Sequence, residues 1–120
     1  MNTTLWLILF LFIKHFIVDF VLQTQEEVDH KGTYLDWRGV KHSVKHGVGT
    51  LLVLWGIGAE FEYSCLFAAA DFLIHYHVDW LKMNASKHLT PRDHAFWAWL
   101  GFDQALHHLT YVMFVAIMIS

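Results

Sequence analysis

The chain has 120 residues, room for one compact unit, and with 56% hydrophobic and 17% aromatic residues it is too apolar for a soluble domain of that size. Charged residues are only 16% and the formal net charge is -3, so bulk electrostatics point to neither nucleic acid nor a polyacidic partner. Cys65 is the single cysteine, which excludes an intramolecular disulfide and leaves nitrogen and oxygen as the donors of any metal site, with ten histidines to supply them.

Four stretches approach the roughly 20 residues that a helix needs to cross a hydrocarbon core of about 30 Å. The first, Leu5 to Gln23, follows a segment without positive charge, Met1 to Thr4, and contains no small-residue cleavage site, so it reads as a retained helix and not a removable signal peptide. It carries His15, Asp19 and Gln23, each four residues after the last. A charged connection, Thr24 to Ser43, includes Gly32 and Gly39 and brings His42 to the edge of the second stretch, Val44 to Phe61, which holds His46. The third, Tyr63 to Lys82, carries Asp71, His75 and Asp79. After Met83 to His94, with the only proline, Pro91, the fourth stretch, Ala95 to Ile119, carries Asp103, Gln104 and His107.

The expected architecture is therefore all-α, a single domain over residues 1–120 built as an integral membrane bundle of four transmembrane helices. All eight basic residues fall at the same ends of those helices, and the opposite side offers only Glu60 and Glu62. The positive-inside rule then places both long loops in the cytoplasm and both termini outside, in a multi-pass membrane protein.

The pairs His15/Asp19, His42/His46, His75/Asp79 and Asp103/His107 all have i, i+4 spacing, which stacks two side chains on one helical face. An ionisable group in hydrocarbon costs from about 2.5 kcal/mol upward, so such groups face the bundle interior and mark functional sites. Neutral His–Asp hydrogen bonds are the plain reading of any one pair. Eight groups converging are better satisfied by a divalent metal, one or two ions, with zinc foremost and manganese or iron as alternatives. Asp71, four before His75, reads as an acceptor orienting that imidazole or as an extra ligand. His77 and His108 leave their helices on other faces, and His30, His88 and His94 belong to loops.

These blocks carry a family resemblance. His15 to Thr24, His42 with His46, His75 through Asp79 to Lys82, and Phe102 to His107 resemble the small bacterial and phage membrane proteins of domain of unknown function 3307. The resemblance reaches across nearly the whole chain and implies a membrane protein of bacterial or phage origin, hence of the bacterial inner membrane, with no activity to carry over. A more distant similarity is to small membrane-bound proteins described as metal-dependent hydrolases.

The functional expectation is a metal-dependent hydrolase acting on a membrane-embedded anionic or lipid substrate. Asp103 or Asp71 is the candidate general base, and Lys82, Gln23 and Gln104 are candidates for holding substrate. Lys14, Lys45 and Lys82 would ring the mouth of the site. Alternatives are a phage or bacterial effector or regulatory protein with a structural metal, or a metal carrier, although a carrier needs polar groups through both leaflets. The adjacent-histidine boxes of a di-iron oxygenase are matched at best by His107-His108, and a bis-histidine haem bundle leaves the aspartates unused. Membrane lipids are the expected partners, with a homo-oligomer or a membrane protein partner as further options and no nucleic acid.

Overall fold

A computed structural model describes residues 2–120; Met1, the start of the amino-terminal segment, lies outside the described residues. Helix α1 (Thr3–Phe16) starts at Asn2, whose Oδ1 accepts from the Leu5 amide at 2.9 Å. It continues into one π-helical turn, Ile17–Val21, closed by the Leu22 amide donating to the Ile17 carbonyl at 2.8 Å. The connection expected over Thr24 to Ser43 holds a short helix, α2 (Gln25–His30). A capping box starts it: Thr24 Oγ1 accepts from the Glu27 amide at 3.2 Å and Glu27 Oε2 accepts from the Thr24 amide at 3.3 Å. Helix α3 (Trp37–Gly56) begins where the Asp36 carboxylate accepts from the Arg38 amide, well ahead of Val44, so His42 and His46 both stand inside it. Helices α4 (Phe61–Ala85) and α5 (His94–Ile119) complete the chain.

The four long helices close a ring in which α1 packs on α3 and α5, and α4 on α3 and α5, while α2 lies against α3. Neighbours run antiparallel: Lys45 reaches the Leu22 carbonyl while Lys14 lies on Gly49, and Phe67 meets Phe114 while Asp79 meets His107. Close approach is set by two glycines. A Cβ on Gly47 would stand 3.0 Å from the Ala68 carbonyl oxygen of α4, and one on Gly49 would collide with the Lys14 side chain at 2.7 Å. One end of the ring is filled by Leu7, Leu11, Leu54, Phe67, Tyr111, Phe114 and Val115. That packing is the largest hydrophobic contribution, at about 1.5–3 kcal/mol for each fully buried aliphatic side chain.

The all-α class holds, but the four-span membrane bundle does not. Among the described residues only two helices are long and apolar enough to cross a membrane, Thr3–Val21 and His94–Ile119, in a compact body of 43 × 28 × 23 Å. Helix α3 spends its first half on Arg38, Lys41, His42, Lys45 and His46, and α4 is interrupted by Asp71, His75, His77 and Asp79, so neither sustains an apolar run. Counting span lengths from apolar content alone hid this. The multi-pass topology deduced from four spans loses its basis as well.

Candidate metal centre

The end of the ring opposite the apolar core is filled by the histidine and aspartate pairs. His15 sits one turn before the π-turn and Asp19 inside it, so the pair is joined across the change of helix type, with His15 Nε2 3.1 Å from Asp19 Oδ2. From α3, His42 Nε2 and His46 Nε2 reach the other oxygen, Oδ1, at 3.1 and 2.8 Å, and His75 Nε2 of α4 stands 3.6 Å from it. Asp79 is the second hub. Its Oδ1 lies 3.1 Å from His107 Nε2, and its Oδ2 lies 3.2 Å from His75 Nε2 and 3.4 Å from His42 Nε2. Asp103 Oδ1 is 3.3 Å from His107 Nε2. All eight side chains are at most 5% exposed.

Two overlapping groups have donor atoms close enough to share an ion, Asp19/His42/His46/His75 and His75/Asp79/His107, with His75 common to both. These buried groups can hold a metal ion. All five imidazoles point Nε2 inward, and His42 Nε2 and His75 Nε2 face each other at 3.3 Å while both face Asp79 Oδ2. Two ring nitrogens crowded on one oxygen are poorly served by protons, because each proton between them satisfies one lone pair. A cation about 2.0–2.2 Å from each donor satisfies all three together. Charge is consistent with this. Three carboxylates, Asp19, Asp79 and Asp103, are met by one ammonium, Lys31, 3.2 Å from Asp79 Oδ2, so further positive charge, on a metal ion or on protonated imidazoles, completes the balance. Burial would lower the Lys31 pKa, but the fields of Asp79, Asp19 and Asp103 raise it above its ordinary value.

Residues 7–120 match the family described as protein of unknown function, DUF3307. The chain belongs to that family. Comparison with curated proteins and with solved structures gives no match. The matched stretch of this DUF3307 protein takes in every residue of the cluster.

Other residues singled out in the sequence are distributed differently. Gln104 belongs with the cluster: its Oε1 is 2.8 Å from His15 Nε2, and its amide nitrogen donates to Asp19 Oδ2 at 3.1 Å and Asp103 Oδ2 at 3.0 Å. Gln23 supports it from outside, accepting from Lys31 at 3.0 Å and donating to the Asp19 carbonyl. Asp71 does not orient His75. It accepts from the Lys14 ammonium at 2.8 Å and the Thr50 hydroxyl at 2.5 Å, and Lys14 also donates to the Tyr111 hydroxyl at 2.9 Å. Lys14 is thereby buried inside the ring, not displayed at a mouth. Lys82 points to the Met83 sulfur at 3.7 Å and, among the described residues, pairs with no carboxylate of the cluster. His77 bonds Tyr34 and the Leu73 carbonyl, away from the centre.

Four contributors were not identified from sequence: Lys31, Tyr111, Thr50 and Glu27. Tyr111, whose hydroxyl is 3.1 Å from His15 Nδ1, follows His107 by four residues, and Thr50 follows His46 by four. Extending the i, i+4 strips by one turn would have found both. Glu27 is fully buried and stands 3.4 Å from His42 Nδ1, although that contact is too poorly aligned for a hydrogen bond and His42 Nδ1 remains unpartnered. Burial pushes the Glu27 carboxyl up, but Lys45 at 2.5 Å and the Thr24 amide outweigh it and hold the carboxyl below its ordinary value.

Proposed function

We propose that this DUF3307 protein is a metal-dependent hydrolase of the bacterial inner membrane, associated with lipid through α1 and α5, which binds one or two divalent ions in the His/Asp cluster. The observation that carries the reading is the convergence of the Nε2 atoms of His42, His46, His75 and His107 on the Asp19 and Asp79 carboxylates, from all four long helices, in a buried space. Mixed imidazole and carboxylate donors suit zinc, and also manganese or iron. A bound ion of this kind lowers the pKa of water to about 7 and polarises a carbonyl or phosphoryl oxygen.

The protein's own groups divide the remaining work. Asp103 Oδ1 has no hydrogen-bond partner, so it is the carboxylate oxygen free to accept a proton. Gln104 fixes its other oxygen and one oxygen of Asp19, holding both carboxylates in orientation. Asp71, committed to Lys14 and Thr50, is left with a supporting role.

One observation favours a second reading, a regulatory or effector protein with a structural ion: the donors are almost wholly buried, and closed coordination is the habit of structural sites. The test is elemental analysis of full-length protein loaded with zinc, manganese or iron, followed by assay on ester and phosphoester probes. One or two equivalents, lost in Asp19→Ala and Asp79→Ala, with turnover lost in Asp103→Asn, is the expected result. Stoichiometric metal without turnover of any probe selects the structural ion. Folded protein that takes up none of the three metals overturns both readings.

A further inference from the structure

Beside the cluster, α1 and α3 leave an open cleft of about 840 Å³, lined along its length by Phe10, Ile13, Val48 and Leu52. Phe10, Ile13, Val48 and Leu52 are all exposed and line this one cleft together. The cleft is polar at one end only. Lys45 reaches the Leu22 carbonyl there, with Lys41 and the exposed indole of Trp37 beside it, while Gly56 and Ile57 form the apolar end. From Lys41 to Ile57 the helix rises about 24 Å, longer than the roughly 15 Å of one leaflet's hydrocarbon.

Charge decides the occupant. Lys41 and Lys45 share a single carboxylate, Glu27 Oε1, at 3.9 and 2.5 Å, so one positive charge remains at the mouth. Lys14 adds none, since Asp71 takes its ammonium, but its stem crosses Gly49 and lines the cleft floor. We propose that this cleft binds an anionic membrane lipid, its headgroup on Lys41 and Lys45 at the Trp37 end and one acyl chain running along α3 toward Gly56. A tryptophan at the polar end, one turn beyond Lys41, fits the interfacial depth of a headgroup. Lys14 is the partition between lipid and cluster, because its ammonium lies 3.4 Å from His46 Nδ1 on the inner side. The proposal deepens the hydrolase reading by naming its substrate class, and rests on that reading for reaction though not for binding.

The test is native mass spectrometry of full-length protein in mild non-ionic detergent, offered dioleoyl phosphatidylglycerol or dioleoyl phosphatidylcholine, with metal content measured on the same preparations. Wild type should retain one phosphatidylglycerol in preference to phosphatidylcholine. Lys41→Gln should weaken that retention about fivefold, the worth of one lysine at an anionic surface. Gly56→Phe fills space that is now open, since a Cβ there meets nothing within 4 Å, and should block the chain while leaving metal content unchanged. Leu52→Gln, at an exposed position, gives a second block with less risk to folding. Equal retention of the two lipids, or undiminished retention in both Gly56→Phe and Leu52→Gln, overturns the proposal. So does a dimer that those two variants dissociate without changing lipid counts, which would assign the cleft to a second copy. Metal bound without lipid preference removes the cleft proposal alone, and lipid bound by protein that takes up no metal removes the metal reading alone.

Discussion

The two ends of the helix ring are held together by opposite physics. At one end Leu7, Leu11, Leu54, Phe67 and Phe114 make non-directional contacts that are nearly independent of one another. At the other, each His or Asp side chain satisfies two or more neighbours, so removing one orphans several. Between them lies a polar layer, the buried Lys14–Asp71 ion pair with Thr50 and the hydroxyl of Tyr111, whose ring belongs to the apolar end. The contrast teaches that stability and metal retention should separate at the apolar end and travel together at the polar end.

The largest break in that contrast is Asp79→Ala. It strips the shared carboxylate from His42, His75 and His107 and leaves Lys31 buried without its partner, so metal should be lost and unfolding free energy should fall by about 3–5 kcal/mol in denaturant titrations. Next is the intermediate layer. Lys14→Met leaves the Asp71 carboxylate uncompensated and should cost about 3 kcal/mol, whereas the double change Lys14→Met with Asp71→Leu should recover most of it. A double variant no more stable than the single one would mean that the pair contributes specific structure and not just mutual compensation. At the apolar end, Leu11→Ala should cost about 2–3 kcal/mol, with metal stoichiometry retained in elemental analysis. Loss of metal in Leu11→Ala would show the two ends to be one cooperative unit. The smallest effect belongs to His77→Ala, an exposed ring bonded to Tyr34, which should shift stability by less than about 0.5 kcal/mol and leave metal content unchanged.

The donor strips were legible because i, i+4 spacing is a local property: His15/Asp19 or His75/Asp79 can be placed on one face from sequence alone. What lay beyond reading was whatever depends on cross-chain contact. Asp71 is four residues from His75 and shares its strip, yet a lysine on α1 captures it, and nothing local to either residue announces that pairing. The four-span expectation failed for a related reason. Helices α3 and α4 look span-like in length, but their polar strips take up too much of each to leave a continuous apolar run, and the ring closes around those strips. Lysine position misled too, because Lys14 resembles an interfacial residue until Gly49 gives its stem a slot into the ring.

The π-turn at Ile17–Val21 gives α1 a property that the other helices lack. A helix with a widened turn contains one residue more than its rise requires, and that surplus can be passed along the chain by exchanging a hydrogen bond to the carbonyl five residues back for one to the carbonyl four back. Each exchange turns the residue it passes over by about 100°. Asp19, which faces four of the five imidazoles, therefore stands on the stretch that, among the described residues, is alone in carrying this surplus. The Leu22 amide closes that loop, and hydrogen exchange should find it quicker to trade its proton than the interior amides of α1, and slower once the centre is filled.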